Sequence, residues 1–143
     1  MKITRTGSAI WQGGLKDGHG TISTESGALD GRPYGFAMRF EGVKGTNPEE
    51  LIGGAHAGCF SQFLALLLSE NDTPPRSIAT TARVAIEVTD GGPTITRIDL
   101  STTVDVDLST DQIEEFAQKA KVGCPVSKAL TGIETITLEV AKA

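Results

Sequence analysis

The sequence has few residues that could hold a metal ion or a structural disulfide. Its 143 residues include only two cysteines, Cys59 and Cys124, and two histidines, His19 and His56. In a reducing compartment, two such cysteines are more often catalytic, metal-binding or simple core residues than a structural disulfide. These four residues form no CxxC motif and no cluster with metal-ligand spacing, so a metal site is a poor fit.

Long apolar runs and an excess of positive charge are also missing. The longest uninterrupted apolar run covers residues 63–68, far short of the ~20 residues that span a bilayer. The basic N-terminal residues are not followed by the apolar segment of a signal peptide. A net charge of −5 and a pI near 5.0 disfavour binding to nucleic acid. We therefore expect a cytoplasmic protein with no nucleic-acid or membrane partner.

The composition is that of an ordinary globular protein. Hydrophobic residues make up 38% of the chain and charged residues 22%, which disfavours disorder. A chain of this length suits one domain over residues 1–143 with a sizeable core. Aromatic residues are scarce and glycine is frequent, with 17 glycines, which indicates many turns and close backbone packing.

The first forty residues are predicted to form strands. Apolar and β-branched residues favour extended structure in residues 2–11 and 19–24. In residues 34–40, every second residue is an aromatic or methionine, the alternation typical of a strand. This pattern places Arg39 on the face opposite the aromatic side chains.

A central helix is predicted to follow. Thr46 or Asn47 can cap its N-terminus, Pro48 fits its first position, and Glu49 and Glu50 lie in its first turn, where negative charge is favourable. Residues 51–68 are almost all small or apolar, so we expect this helix to be buried on most sides.

The remaining chain alternates between strands and helices. Residues 77–90 and 94–108 predict a β-hairpin that turns at the DGG sequence. Residues 110–123 predict an amphipathic helix, Pro125 begins a short helix, and residues 133–140 predict a last strand. The sequence therefore predicts an α+β fold, with antiparallel β-sheets around a buried central helix.

Cys59 admits two interpretations, a small buried apolar residue or a reactive thiol. A helix break at Gly53 and Gly54 would place Cys59 near the start of a second helix, where its thiolate would be stabilised. Cys124 precedes Pro125 at another predicted helix start. A guanidinium such as that of Arg39 would also lower the pKa of a nearby thiol.

The charged neighbours have simpler explanations as well. Glu49 could serve simply to complement the positive end of the helix dipole, and Arg39 could be a solvated strand residue. Along an unbroken helix Glu49 would lie about 15 Å from Cys59, so a shared network needs the glycine break or a second subunit. His56, one turn before Cys59, could activate its thiol, or could have a core or capping role.

Two stretches, residues 34–60 and 119–130, closely resemble the OsmC branch of the OsmC/Ohr family of osmotically inducible and organic-hydroperoxide-resistance proteins. The resemblance is carried by the NPEEL helix start, the cysteine of AHAxC and the later cysteine of GCPVS, in this order and at the family spacing. It covers essentially the whole chain.

The resemblance implies an OsmC-like fold in an intertwined homodimer, with two active sites at the subunit interface and no cofactor. It implies a thiol peroxidase of oxidative and osmotic stress defence, which reduces organic hydroperoxides and, less well, hydrogen peroxide. Cys59 corresponds to the peroxidatic cysteine and Cys124 to the resolving cysteine. Arg39 and Glu49 correspond to residues that hydrogen-bond around the thiolate. A dithiol, in particular a lipoyl-type one, is the implied reductant.

Other interpretations stay open from the residues. The cysteine pair could belong to a redox sensor or a stress-induced binding protein that is oxidised without turnover, or to a structural dimer with inert thiols. Phe60, Phe63 and Leu64 could shape an entrance for the alkyl group of a hydroperoxide, or could simply pack in the core.

Overall fold

The computed structural model describes residues 1–143 and has the predicted mixture of helices and strands, in two compact units. The first unit is Met1–Leu51 and the second is Ile52–Ala143. The α+β class is therefore confirmed, and the single domain over residues 1–143 stays a prediction.

The first unit contains a three-stranded antiparallel sheet. Its strands are β1 (Gly7–Gln12), β2 (His19–Thr24) and β3 (Arg32–Tyr34), adjacent in that order. The first two confirm the predicted strands, and β3 ends before most of the alternating segment begins.

The prediction of a strand through residue 40 is wrong. After an extended Gly35, residues Phe36–Phe40 form a short helix, α1, with Arg39 in its last turn. The alternation of large side chains is ambiguous, because two of them are also four residues apart and can share one face of a helix. The rings of Phe36 and Phe40 lie 5.0 Å apart, as that pairing requires.

The central helix, α2, is continuous from Pro48 to Glu70. Asn47 caps it, since its side-chain oxygen accepts a hydrogen bond from the Glu50 N–H. The possible break at the two glycines does not occur. Gly53 instead allows close packing, because a Cβ atom there would lie 3.0 Å from the Ala82 carbonyl oxygen.

One face of α2 is buried and the other is open. Residues at i,i+4 spacing, His56, Phe60, Leu64 and Leu68, have no exposed surface. On the opposite side Leu66 is 48% exposed, so the prediction that α2 is buried on most sides is wrong for the single chain.

By length and composition alone α2 could cross a membrane, a property that core helices of soluble proteins share.

The second unit contains a three-stranded mixed sheet. Strands β4 (Ser77–Thr89) and β5 (Gly92–Asp105) form the predicted antiparallel hairpin, and β6 (Thr135–Lys142) pairs with β5 in parallel. The expectation of purely antiparallel sheets is therefore wrong for β6. Its parallel direction follows from the helical crossover between β5 and β6, because parallel neighbours need a long connection.

The crossover consists of α3 (Thr110–Gly123) and α4 (Pro125–Ala129). Ser109 begins α3 with a capping box to Gln112, which stabilises the helix end by roughly 1 kcal/mol. One face of α3 packs on the core, as its amphipathic pattern predicts. The buried core cluster comprises Phe60, Leu64, Leu68, Leu100, Val104, Val106, Ile113, Ala117, Ala120 and Cys124.

We expect Leu64→Ala to lower the free energy of unfolding by about 2–5 kcal/mol, because it opens a cavity in this core. The matched control is Val122→Ala on α3, where the side chain is 73% exposed and the change should stay within about 0.5 kcal/mol. Urea unfolding followed by circular dichroism measures both. An equal decrease in the free energy of unfolding for Leu64→Ala and Val122→Ala would contradict the assignment of the core.

Candidate active site

The two cysteines lie together where α2 meets the start of α4. Both are free thiols; Cys59 is partly exposed and Cys124 is buried. The Cys59 thiol contacts the Cys124 thiol and accepts a hydrogen bond from the Val126 backbone N–H. Cys59 also packs against the buried core cluster that contains Cys124, so the two thiols are neighbours before any oxidation.

In the single chain the Cys59 thiol is not activated. Burial raises its pKa, and the hydrogen bond and charge of Cys124 raise it further, while the Val126 N–H acts in the opposite direction. The expected N-terminal helix field is absent, because Cys59 is the twelfth residue of the unbroken α2 and the dipole effect fades within the first turn. A cation is needed to favour the thiolate at neutral pH.

Cys124 caps α4 with its sulfur. Its Sγ accepts a hydrogen bond from the Ser127 N–H at 3.3 Å, and its thiol donates to the Ser127 Oγ, also at 3.3 Å. The sequence reasoning did not single out Ser127, although its position three residues after the predicted capping residue is where such contacts form.

His56 belongs to the same cluster. Its Nε2 lies 2.8 Å from the Ser127 Oγ across α2 and α4. Its side chain is completely buried and its Nδ1 has no hydrogen-bond partner. Burial lowers the pKa of the imidazole, which is therefore neutral at pH 7. This hydrogen bond joins His56 to Ser127, which is itself hydrogen-bonded to Cys124.

Arg39 and Glu49 form a separate pair in the first unit. The Arg39 Nη2 and Nε donate to the Glu49 Oε1 at 2.7 and 3.0 Å, and Nε also lies 3.2 Å from Oε2. Arg39 also stacks on Phe40, with its guanidinium carbon 5.2 Å from the ring centroid. The solvated-strand interpretation of Arg39 is therefore wrong, and Glu49 does more than complement a helix end.

An apolar pocket of about 320 Å³ borders this ion pair. Besides Arg39, its lining is Trp11, Leu15, Tyr34, Gly35, Phe36, Phe40 and Pro48. The suggested entrance residues Phe60 and Leu64 lie elsewhere, since both have no exposed surface. A larger concavity of about 690 Å³ on the sheet of the second unit includes Arg83, Arg97 and Asp99 but neither cysteine.

Comparison with known proteins gives one consistent family. The family described as OsmC-like protein matches residues 41–139. The chain is 53% identical to "Peroxiredoxin OsmC" of Escherichia coli strain K12, over 91% of this chain and 92% of that protein. It is 31% identical to "Organic hydroperoxide resistance protein-like 1" of Staphylococcus saprophyticus, over 98% and 93% of the two chains.

Solved structures agree in fold. A crystal structure of an organic hydroperoxide resistance protein OsmC from Legionella pneumophila is 26% identical, covers 98% of this chain and 99% of that one, and has a TM-score of 0.75. The OhrB protein of Bacillus subtilis is also 26% identical, with coverage of 96% and 98% and a TM-score of 0.71. The predicted OsmC-like fold is thereby confirmed.

The buried His56 makes stability depend on pH. Burial lowers its pKa below that of the unfolded chain, so the unfolded chain binds more protons as the pH falls through about 6.5. The contribution of neutral His56 to the free energy of unfolding is thus complete above that pH and is lost below it.

The prediction is tested by urea unfolding between about pH 7.5 and 5.5. The free energy of unfolding should fall less with pH in His56→Gln than in the parent, whereas exposed His19→Gln should match the parent. A parent-like pH dependence in His56→Gln would contradict this assignment.

Proposed function

The chain belongs to the OsmC-like protein family, and we propose that Cys59 is the residue with which it reduces organic hydroperoxides. The chain is a peroxiredoxin-like thiol peroxidase, as its relatives named for peroxiredoxin OsmC and for organic hydroperoxide resistance support. The observation that carries the assignment of the site is the contact of a partly exposed Cys59 with a buried Cys124.

The first step is attack by the Cys59 thiolate on the distal peroxide oxygen. A sulfur–oxygen bond forms, the oxygen–oxygen bond breaks, and the alkoxide leaves as an alcohol after taking up a proton. The sulfur is oxidised to a sulfenic acid and the peroxide is reduced. Cys59 suits this role better than Cys124 because it alone of the two is reachable from solvent.

The second step is attack by Cys124 on the Cys59 sulfenic acid. The two sulfurs form a disulfide and water leaves. An external dithiol then reduces the disulfide by thiol–disulfide exchange and restores both thiols. A lipoyl-type dithiol is the reductant we propose, and the cytoplasm is the compartment we propose, because its reducing conditions keep such a pair available.

The cation that Cys59 needs comes, in this proposal, from a second copy of the chain. Cys59 lies ten positions after Glu49 on one continuous helix, a rise of about 15 Å. The open face of α2, with Gly54, Gly58 and Leu66 exposed, offers small and apolar residues for close association. An intertwined homodimer would bring Arg39, held by Glu49, to the partner's thiolate.

The apolar pocket beside Arg39 supports an organic substrate. Aromatic and aliphatic side chains line most of it, so it suits the alkyl or aryl part of a hydroperoxide. Arg39 at its edge would stabilise the negative charge that develops on the departing oxygen. Hydrogen peroxide lacks the group that fills this pocket, so we expect it to react less efficiently.

We expect Cys59→Ser to abolish turnover of cumene hydroperoxide, because no other thiol can reach the peroxide. Without a reductant, Cys124→Ser should still consume about one equivalent and then stall as a sulfenic acid that dimedone traps. Stopped-flow peroxide assays with dihydrolipoamide measure turnover, and mass spectrometry of protein oxidised without a dithiol detects the trapped sulfenic acid. Preference for cumene hydroperoxide over hydrogen peroxide is expected in the parent.

Two outcomes would contradict the proposal. Equal, negligible turnover in parent and Cys59→Ser with several dithiols would leave an inert relative of the family. A single oxidation of the parent to its disulfide, with no reductant able to restore it, would instead favour a redox sensor.

The role of Arg39 is tested by alkylation of Cys59 in the Cys124→Ser background. Arg39→Gln should move the pH midpoint of iodoacetamide alkylation upward, since the cation that favours the thiolate is lost. Arg76→Gln is the matched control, because Arg76 pairs with Asp105 and Asp107 in the second unit. An unchanged midpoint in Arg39→Gln would show that Arg39 does not act on the thiol.

A further inference from the structure

A continuous hydrogen-bonded chain leads from the second cysteine into the core. The Cys124 thiol donates to the Ser127 Oγ at 3.3 Å, and the Ser127 Oγ lies 2.8 Å from the His56 Nε2. All three residues are buried. The peroxidase cycle outlined above gives neither Ser127 nor His56 a task.

Packing alone does not account for a histidine at this position. His56 has no exposed surface, and its Nδ1 lacks any hydrogen-bond partner. A buried polar atom without a partner destabilises a protein. An apolar side chain of similar size on the same face of α2 would avoid that loss, so the imidazole needs a reason beyond the filling of space.

The direction of the hydrogen bonds suggests the reason. When the Cys124 thiol donates to Ser127, the Ser127 hydroxyl hydrogen is free to point at the His56 Nε2, which accepts in the tautomer that carries its proton on Nδ1. The neutral imidazole is then the terminal proton acceptor of the chain. The Ser127 N–H, which donates to the same sulfur, stabilises the negative charge left on Cys124.

We propose that Ser127 and His56 form a proton relay that activates Cys124 for disulfide formation. The proposal rests on the proposed function, because it concerns the second step of that cycle. Ser127 touches the reacting sulfur and is the catalytic residue of the relay. His56 acts through Ser127 and is a positioning residue that holds the proton.

The step balances without another reagent. The Cys124 sulfur loses its proton through the Ser127 hydroxyl to His56 and attacks the Cys59 sulfur. The sulfur–sulfur bond forms, the sulfur–oxygen bond of the sulfenic acid breaks, and hydroxide leaves. The hydroxide takes up the one proton that the relay removed and departs as water. His56 is neutral before and after, and no electrons enter from outside.

The magnitude follows from general base catalysis. A positioned group that takes up a proton in the transition state typically contributes about a hundredfold or more. A relay that takes the Cys124 proton at the moment of attack should therefore accelerate resolution by about a hundredfold. Loss of the relay should slow disulfide formation by that factor and leave the oxidation of Cys59 unaffected.

The experiment separates the two steps in a single turnover. Reduced protein is mixed with one equivalent of cumene hydroperoxide at pH 7, quenched at intervals, and analysed by mass spectrometry for dimedone-trapped Cys59 sulfenic acid and for disulfide. The variants are Ser127→Ala, Ser127→Thr and His56→Gln. The control is Ser61→Ala, which removes another α2 hydroxyl that donates to Thr80 outside the relay.

The expected result is normal sulfenic acid formation in every variant, with disulfide formation slowed about a hundredfold in Ser127→Ala and His56→Gln. Ser127→Thr keeps the hydroxyl and should restore most of the rate, and Ser61→Ala should match the parent. Glutamine can keep the hydrogen bond of His56 but accepts no proton. Normal resolution in His56→Gln would therefore reduce His56 to a structural role and overturn the relay.

The remaining outcomes are equally decisive. Equal resolution in Ser127→Ala and the parent would also overturn the relay, while the peroxidase itself would stand. Absence of both Cys59 sulfenic acid and disulfide in the parent would instead overturn the proposed function. Normal formation of sulfenic acid in a variant also shows that its site is folded, so slow resolution there cannot come from unfolding.

Discussion

The packing of one face of α2 into the second unit fixes the geometry on which the chemistry depends. Phe60, Leu64 and Leu68 on this face belong to a single buried cluster, which also contains Cys124. Because Cys59 directly precedes Phe60, burial of the helix face also determines the position of the thiol. The hydrophobic effect, rather than any bond between the cysteines, thus brings the two sulfurs into contact.

Much of this arrangement was predictable from local patterns. The periodicity of residues 110–123 gave α3 with both ends correct, and the alternating runs gave the β4–β5 hairpin. The errors arose where a pattern had two meanings. Large side chains at every second residue indicate a strand, but they also include the i,i+4 pair that shares one face of α1. Glycine at position 53 weakens a helix, but it also allows a neighbouring strand to approach closely.

The rest of the site was beyond local reasoning because it depends on tertiary contacts. His56 and Ser127 are 71 residues apart in sequence, and no spacing rule joins them. The Arg39–Glu49 pair was expected only through family resemblance, since residues 34–40 suggested a strand with Arg39 turned away from the aromatic rings. The raised pKa of Cys59 was missed for the same reason: it comes from burial and from the second thiol.

The contact of the two thiols also imposes an order on the reaction. Negative charge on one sulfur disfavours negative charge on the other, so the pair carries at most one thiolate while both cysteines are reduced. A cation at Cys59 would place that charge on the sulfur that meets the peroxide. In the proposed cycle, oxidation converts Cys59 to a neutral sulfenic acid and removes this repulsion. The proposed proton route from Cys124 through Ser127 to His56 is needed only after that step. In this scheme the oxidation of Cys59 therefore comes before the activation of Cys124.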